Sequence, residues 1–337
     1  MATTSTATDL PRRRLGGLDV PAVGYGAMVL SPGMYGPIDD ERADVALRAA
    51  LDAGATFVDT SDGYGDAGHN ERVVGRAIRG RRDEVVVATK FGFRVPEGAA
   101  RHAIPVGYAF GEVAVNAHPD LVRGYAEQSL RELGTDRIDL YYPHFPDPEV
   151  PLEDTVGAVA DLVRAGLVRH LGLSNVTADQ LRWAHAVHPV AAVQTEWSMW
   201  RPVAGDLLAA ARELGVGIVA WSPLGGGFLT GAVTTLGEGD FRHHAPRFAG
   251  GNLAANHDRY APVRALAGRM GVTPGQLALA WLLAQDPGVV PIPGSRTPRH
   301  IEENLAAARV ELAAGELAEV DAALAATTPV GGTLLDG

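Results

Sequence analysis

Eight short apolar runs, each followed by a loop and a segment of helical length, constrain the fold of this 337-residue chain most strongly. The runs are rich in β-branched residues and lie at 20–26, 56–61, 84–91, 138–144, 169–175, 190–198, 216–224 and 289–295. Amphipathic segments with the helical period lie between them, as at 39–54, 70–80 and 119–134. Alternating strands and helices indicate a parallel sheet, and eight such units favour a closed barrel. We therefore predict an α/β fold, a (β/α)8 TIM barrel.

Further elements are predicted outside the eight units. A small hairpin is expected at 11–19, before the first barrel strand, and an extra C-terminal helix within 311–325. The barrel is expected to form a single catalytic domain over 11–326. The two ends of the chain, 1–10 and 327–337, are expected to be flexible tails.

Composition and charge exclude several classes of function. Hydrophobic residues make up 46% of the chain, which suits a globular protein with a large core. The 40 acidic residues outnumber the 29 basic ones, and the resulting net charge of −11 disfavours a nucleic-acid partner. The absence of cysteine excludes disulfides, thiolate nucleophiles and cysteine-ligated metals. With neither a targeting segment nor an apolar run of about 20 residues, we expect a cytoplasmic protein that contacts no membrane.

Four polar residues fall where adjacent barrel strands end, which is where such barrels place their active sites. Within these runs, the second strand is expected to end at Asp59, with Tyr64 in the loop just after it, the third strand at Lys90 and the fourth at His144. Lys90 is the only lysine of the chain. A nearby ammonium lowers the pKa of a phenol, Asp59 can hold Lys90, and His144 can donate a hydrogen bond to a carbonyl oxygen. These four residues predict a site that protonates an alkoxide.

Other chemistries fit these residues less well. The segment 63–68 matches the G-x-G-x-x-G dinucleotide fingerprint, but the next run ends in Lys90 and not in an acidic residue that would hold a ribose. A metal hydrolase needs several His or carboxylate ligands on neighbouring strand ends, and the first run offers none, so no metal site is predicted. A Schiff-base enzyme could use Lys90, but Asp59 beside it would raise its pKa and weaken it as a nucleophile.

Three motifs around these residues resemble those of the aldo-keto reductase family, in its NADP-dependent, bacterial-type form. They are Asp59-Thr60-Ser61-Asp62-Gly63-Tyr64-Gly65, Ala88-Thr89-Lys90 and Asp139-Leu140-Tyr141-Tyr142-Pro143-His144. The resemblance extends from about residue 12 to residue 326. It implies a catalytic tetrad of Asp59, Tyr64, Lys90 and His144 with Tyr64 as general acid. It also implies NADPH-dependent reduction of an aldehyde or ketone to the alcohol by hydride transfer.

The resemblance also implies a cofactor groove along the remaining strand ends. Ser174, Asn175 and Gln194 are similar to the residues that hold the carboxamide, and Trp197 falls where relatives usually stack a Tyr on the nicotinamide. Further cofactor residues are implied at the end of the seventh run and in the loop after it, at the eighth run and in the helix that follows: Ser222, Pro223, Leu224, Gly225, Gly227, Gly294, Ser295, Arg296, His300, Glu303 and Asn304. His300 stands where many relatives have an Arg near the 2′-phosphate, and Arg296 and Arg299 could substitute for it. NADPH is therefore the predicted cofactor, and NADH stays open.

The substrate pocket is expected to be apolar. Met28, Tyr35, Phe93 and Trp200 are its predicted walls, on loops that follow the first, third and sixth runs. With no basic cluster at this rim, the composition favours a small apolar or aromatic carbonyl compound as the partner. Two other functions stay open: an NAD-linked alcohol or sugar dehydrogenase of the same fold, and a cofactor-binding regulatory module with little turnover. The oligomeric state is also left open.

Overall fold

The computed structural model describes residues 10–336, in which helices surround an eight-stranded parallel sheet. In chain order the strands of this part are β1 (Arg12–Leu15), β2 (Leu18–Pro21), β3 (Tyr25–Gly26), β4 (Phe57–Asp59), β5 (Val86–Phe91), β6 (His102–Pro105), β7 (Glu112–Val115), β8 (Ile138–Pro143), β9 (Val168–Ser174), β10 (Val190–Glu196), β11 (Gly217–Trp221) and β12 (Val289–Pro291). The parallel sheet has the order β12-β11-β10-β9-β8-β5-β4-β3. Each strand therefore pairs with the preceding and following barrel strands of the sequence.

The two edge strands of this sheet meet, which closes it into a barrel. β3 pairs with β4 in parallel, with Gly26 opposite Asp59. On its other side, the backbone N–H of Gly24 donates to the carbonyl oxygen of Pro291 in β12 at 3.0 Å. The approach is close, since a Cβ on Gly26 would lie 2.6 Å from the carbonyl oxygen of Ile292. The predicted (β/α)8 barrel is confirmed.

The predicted N-terminal hairpin is present and closes one end of the barrel. β1 and β2 pair antiparallel with Leu15 opposite Leu18. Both leucines and Val20 pack with inward-facing strand residues such as Phe57 in a separate core cluster. Leu15 also occupies the space that a Cβ on Gly217 would need, at the first residue of β11. The hairpin therefore covers the N-terminal ends of the strands, and the C-terminal ends remain for a functional site.

Helices pack against the outside of the sheet and bury its other face. They are α1 (Asp40–Asp52), α2 (His69–Ile78), α3 (Pro119–Leu133), α4 (Leu152–Arg164), α5 (Ala178–Val187), α6 (Gly205–Leu214), α7 (Asn252–Arg259), α8 (Ala261–Arg269), α9 (Pro274–Gln285), α10 (Pro298–Ala306) and α11 (Ala314–Ala325). Capping boxes begin α5 at Thr177 and α9 at Thr273. The last helix, α11, is the predicted C-terminal addition. Among residues 10–336, no helix has the length and apolarity needed to cross a membrane.

Two connections differ from the sequence expectations. The run at 20–26 is divided, because Leu18–Pro21 belongs to the hairpin and only Tyr25–Gly26 joins the barrel. The long loop at 92–117 contains its own antiparallel hairpin, β6 and β7, with Ala103 opposite Ala114. This hairpin projects from the end of the barrel where the strands β5 and β8 finish.

The C-terminal segment, expected to be a flexible tail over 327–337, is held in place through residue 336. The backbone N–H of Val330 donates to Asn256 Oδ1 at 2.8 Å, and the carbonyl oxygen of Leu334 accepts from the backbone N–H of Gly107 at 2.9 Å. These partners are distant in sequence, so local composition does not reveal them. The other expected tail, 1–10, lies outside the described residues except for Leu10, which is buried.

Candidate active site

A cavity of about 690 Å³ opens at the C-terminal ends of the barrel strands. Most residues predicted to form the site line it: Asp59, Tyr64, His144, Ser174, Asn175, Gln194, Ser222, Pro223, Leu224, Gly225, Gly227, Gly294, Ser295, Arg296 and His300, with the pocket residues Met28, Tyr35, Phe93 and Trp200. Lys90 lies directly beneath this lining, bonded to two of its members. Trp197, Glu303 and Asn304 are not part of the lining.

Lys90 is the centre of a buried hydrogen-bond cluster between neighbouring strands. Its Nζ donates to Asp59 Oδ1 at 2.5 Å, to the Thr60 carbonyl oxygen at 2.9 Å and to Tyr64 Oη at 3.1 Å. An ammonium has three N–H donors, so all of them have partners here. Because Tyr64 accepts from Lys90, its own hydroxyl proton is free to donate into the cavity.

Asp59 and Lys90 form an ion pair almost without exposure to solvent. The second carboxylate oxygen of Asp59 accepts from Gln194 Nε2 at 2.8 Å, so both oxygens accept strong donors. Burial raises the pKa of Asp59, and the attraction of Lys90 and the hydrogen bonds oppose that rise. Burial also opposes the charge on Lys90, but Asp59 and Tyr64 outweigh it and raise the pKa of Lys90. The geometry therefore fits a charged pair at neutral pH.

Tyr64 differs from the sequence expectation in the direction of its pKa. Lys90 was expected to lower the pKa of this phenol. In the structure, burial raises the pKa of Tyr64 above 10.0, and the attraction of Lys90 offsets only part of the rise. Desolvation dominates because protein groups surround the phenol inside the barrel mouth, although the side chain remains partly exposed to the cavity. The protonated form of Tyr64 is thus favoured over a wide pH range.

His144 lies beside Tyr64 in an aromatic environment. Its ring centroid is 5.7 Å from that of Tyr64 in an edge-on arrangement and 4.2 Å from that of Phe93. Burial and the nearby charge of Lys90 hold the pKa of His144 well below 6.5, so the ring is neutral. Its Nδ1 lies 3.0 Å from Ser61 Oγ, which leaves Nε2 as the nitrogen available to the cavity.

The next part of the cavity wall presents amide and hydroxyl groups together with an indole. Asn175, at a positive φ of 58°, donates from Nδ2 to the His144 carbonyl oxygen at 3.1 Å. Its Oδ1 accepts from Trp221 Nε1 at 3.0 Å. Ser174 and Gln194 complete this part of the lining.

The placement of Trp197 beside the cofactor groove is wrong. Trp197 is only 2% exposed and packs in the core behind the sheet, whereas Trp221 at the end of β11 lines the cavity. Side chains alternate along a strand, so Gln194 and Glu196 face the barrel interior and Trp197 faces away. Counting this alternation from Gln194 would have excluded Trp197, and Trp221 could have been found at the end of the next run.

Another part of the cavity wall is formed by the glycine loop 225–227 after β11 and by the residues that lead into α10. Gly225, Gly226 and Gly227 have φ values of 56°, 63° and 89°, which an L side chain rarely adopts. The side chain of Thr297, the N-cap of α10, bonds no backbone amide of that helix. Arg296 is committed to the loop after β3, since it donates to the carbonyl oxygens of Val29, Gly36 and Pro37 at 2.6 to 3.2 Å.

Two predicted cofactor residues lie outside this lining. Glu303 accepts the hydroxyl of Thr273 at 2.7 Å, and Asn304 is 8% exposed on the same helix, α10. Both residues follow the turn of α10 that carries His300. Their expected contact with an adenine stays a prediction.

The rim of the cavity contains residues that the sequence analysis did not single out. Arg242 forms an ion pair with Asp240 and donates to the Gly226 carbonyl oxygen at 2.5 Å. Arg247 donates to the carbonyl oxygens of Trp200 and Gly331. Residues 332–334 of the C-terminal segment reach the cavity beside these arginines. The contacts of Arg247 join segments 47 and 84 residues apart in sequence, so no local pattern reveals them.

Curated relatives match nearly the whole chain. The NADP(+) aldo-keto reductase yakc of Schizosaccharomyces pombe is 41% identical over 322 residues, which cover 92% of this chain and 90% of the relative. The aldo-keto reductase str7 of Strobilurus tenacellus is 41% identical over 326 residues, covering 92% and 91%.

Solved structures are also similar. The glycerol dehydrogenase AKR11B4 of Gluconobacter oxydans has a TM-score of 0.78 at 28% identity, covering 95% of this chain and 96% of that one. An aldo/keto reductase of Klebsiella pneumoniae in complex with NADP and acetate has a TM-score of 0.71 at 28% identity, covering 93% and 95%. The family model described as the aldo/keto reductase family matches residues 22–325. With that match and the 41% identity to curated relatives, the chain belongs to the aldo/keto reductase family.

Proposed function

We propose that this protein reduces an aldehyde or ketone to the alcohol with NADPH, and that Tyr64 is the general acid. The observation that carries the proposal is the 3.1 Å hydrogen bond from Lys90 Nζ to Tyr64 Oη. It fixes the phenol oxygen as an acceptor toward the barrel and directs its proton toward the cavity. A phenol held in this way can protonate an alkoxide as it forms.

The other members of the cluster have separate tasks in this reaction. Asp59 keeps Lys90 charged, so that the ammonium stabilises the phenolate that remains after proton transfer. His144, neutral at the cavity wall, donates a hydrogen bond from Nε2 to the carbonyl oxygen and orients it beside Tyr64. The aromatic rings around His144, including those of Phe93 and Phe145, keep water away from the reacting carbon.

The cavity lining fits a nicotinamide dinucleotide. Bound NADPH would supply the hydride. Ser174, Asn175 and Gln194 offer the donors and acceptors that a carboxamide requires, and the face of Trp221 can stack on a ring. The three glycines 225–227 allow close approach of a pyrophosphate to the backbone, and the N-terminus of α10 favours a phosphate.

NADPH is favoured over NADH by charge and by similarity. Arg296 and His300 both line the cavity, and Arg299 lies between them in sequence. The yakc relative carries NADP(+) in its name, and a second Klebsiella pneumoniae structure contains NADPH. Because the cavity near Tyr64 is mainly apolar and aromatic, we propose an apolar or aromatic carbonyl compound as substrate.

Oxidation of an alcohol by the same residues is the second candidate. The observation that favours it is the similarity to a glycerol dehydrogenase at a TM-score of 0.78. The deprotonated phenolate of Tyr64, stabilised by the ammonium of Lys90, would then accept the proton of the alcohol. A regulatory module with little turnover fits less well, since it has no use for the complete buried cluster around Lys90.

Titration with NADPH and NADH, followed by tryptophan fluorescence, tests the cofactor. We expect tighter binding of NADPH, with quenching that is reduced in Trp221→Phe and retained in the matched control Trp197→Phe. Preference for NADH would move the proposal to the dehydrogenase, and no binding of either nucleotide would overturn it.

Turnover of a carbonyl panel by Tyr64→Phe tests the general acid. Rates should fall by about 10²- to 10⁴-fold while NADPH affinity is retained, because the variant loses only the proton donor. Unchanged turnover would exclude Tyr64 as the acid.

A further inference from the structure

Ser61 joins the neutral imidazole of His144 to a buried carboxyl group. Ser61 Oγ lies 3.0 Å from His144 Nδ1 and 3.2 Å from Asp62 Oδ1. It also accepts the backbone N–H of Gly63 at 3.1 Å. Ser61, Asp62 and His144 are each less than a tenth exposed, so solvent does not compete for these contacts.

Asp62 is held with one oxygen turned toward Ser61. Its Oδ2 accepts the backbone N–H groups of Gly92 and Arg94, both at 3.1 Å. Its Oδ1 faces the serine hydroxyl. The carboxyl group therefore cannot rotate away from Ser61 without losing two backbone hydrogen bonds, one of them fully buried.

A serine hydroxyl has one proton, so Ser61 can donate a hydrogen bond either to Asp62 or to His144, but not to both. When Asp62 is ionised, Ser61 donates to it and accepts the Nδ1–H of His144, so that Nε2 carries no proton. When Asp62 is protonated, its O–H donates to Ser61, and Ser61 donates to Nδ1, so that the proton of the imidazole is on Nε2. Passing from the second state to the first releases the proton of Asp62 to solvent and moves the imidazole proton from Nε2 to Nδ1.

We propose that Ser61 and Asp62 are positioning residues that decide which nitrogen of His144 carries the proton, and that carbonyl reduction is fastest when Asp62 is protonated. The inference rests on the proposed function, in which Nε2 of His144 donates to the carbonyl oxygen. Only the protonated state of Asp62 supplies that donor. The ionised state turns a bare lone pair of Nε2 toward the carbonyl oxygen.

Burial places the transition of the relay formed by Asp62, Ser61 and His144 near pH 6. Burial raises the pKa of Asp62 to about 6, against the hydrogen bonds and the charge of Arg94. Burial likewise raises the pKa of Glu71, on α2, to about 7. The titratable and charged groups that face the relay come from four elements and two loops: Tyr64, Glu71, Lys90, Arg94, Tyr125 and Tyr141. Glu71 is thus the competing explanation for any transition in this range.

The tautomer can be measured without any turnover. The ¹⁵N chemical shifts of the His144 ring, assigned by comparison with His144→Gln in uniformly ¹⁵N-histidine-labelled protein, distinguish a protonated from a bare nitrogen. We expect the Nε2–H form below about pH 6 and the Nδ1–H form above it, following the pKa of Asp62. A tautomer that is constant from pH 5 to pH 8 would overturn the proposal, whether or not the protein reduces carbonyls.

Two substitutions separate Asp62 from Glu71. In Asp62→Asn, the two backbone donors select the side-chain oxygen, so the amide nitrogen faces Ser61 and holds the Nε2–H tautomer at every pH. Ser61→Ala removes the relay, so the ring no longer responds to Asp62. Asp66→Asn, an exposed residue of the same loop, is the control for the lost charge. A transition that persists in Asp62→Asn would assign it to Glu71 and overturn the proposal.

The kinetic consequence is a loss of rate as pH rises. The kcat/KM for a carbonyl should fall through about pH 6 in the wild type and in Asp66→Asn, by about a hundredfold if one donor to the oxyanion is lost. In Asp62→Asn it should stay at the low-pH level, and in Ser61→Ala the transition should disappear. A tautomer that switches in a protein without carbonyl turnover would support the relay and reject the proposed function. Carbonyl turnover in a protein whose His144 tautomer does not change with pH would support the proposed function and reject the relay.

Discussion

The buried cluster around Lys90 and the rim of the cavity both depend on charged side chains, but they are held in different ways. In the cluster, Lys90 joins Asp59 across adjacent strands, and both side chains are almost fully buried. At the rim, Arg242, Arg247 and Arg296 donate to backbone carbonyl oxygens of loops. The register of the sheet fixes the first set, whereas long-range loop contacts fix the second. We therefore expect substitutions in the buried cluster to change turnover and substitutions of the rim arginines to change binding.

The largest effect is expected when the cluster loses its cation. Lys90→Met should abolish carbonyl turnover and lower the free energy of unfolding by about 3–5 kcal/mol, because Asp59 is left buried without a counter-charge. Urea denaturation and single-turnover reduction measure the two losses. Adding Asp59→Asn should restore much of the stability and none of the turnover. Recovery of turnover in the double variant would show that the ion pair serves only the fold.

A second buried acid, Glu71 on α2, should make stability depend on pH, since it accepts a hydrogen bond from Thr89 but forms no ion pair among the described residues. Burial raises the pKa of Glu71 to about 7, above its value in the unfolded chain. The folded state therefore binds the proton more tightly, and the free energy of unfolding should fall as pH rises from about 4.5 to about 7, by up to about 3 kcal/mol from this group. Denaturation at a series of pH values should give a flatter curve for Glu71→Gln. Parallel curves for the two proteins would contradict the buried-acid assignment.

At the rim, loss of an arginine should change access more than chemistry. Arg247→Met removes donors to the carbonyl oxygens of Trp200 and Gly331, and we expect about 1–3 kcal/mol of destabilisation. The KM for the carbonyl should rise while kcat changes little, because the cluster around Lys90 is not touched. Arg259→Met is the control, since Arg259 bonds the exposed carbonyl oxygen of Thr328 in the same segment. A kcat loss as large as that of Tyr64→Phe would contradict the division between rim and cluster.

The smallest effect is expected at the loop after β3. Arg296→Gln loses hydrogen bonds to Val29, Gly36 and Pro37, and the nucleotide Kd should rise about tenfold, equivalent to about 1.4 kcal/mol. An equal loss for NADPH and NADH would mean that Arg296 acts through the loop. A loss confined to NADPH would assign Arg296 to the 2′-phosphate. Arg299→Gln is the control: Arg299 is exposed at the start of α10, so this variant shows how much of the loss comes from removing one positive charge near that helix.

The parts of the site that could be predicted are those carried by strand ends. Asp59, Lys90 and His144 each end an apolar run, and parallel strands bring their C-terminal ends together, so their meeting follows from the barrel. Trp197 shows where this reasoning failed, because it used position along the chain without the alternation of side chains about the strand. The contacts of the C-terminal segment could not be predicted for another reason, since Asn256 and Arg247, which bond it, come from the helix and the loop after β11.

The sequence by itself determined the eight strand–helix units, the hairpin before them, the helix after them and the identity of the four catalytic candidates. These properties depend on local hydrophobic periodicity and on short motifs, both of which are visible in the amino-acid sequence itself. Only the tertiary structure decided that Trp221 and not Trp197 lines the cavity, that burial raises the pKa of Tyr64, and that Ser61 joins Asp62 to His144. Each of these depends on which groups are brought together and on how much water is removed from around them, and both are set by contacts between residues that are distant in the sequence.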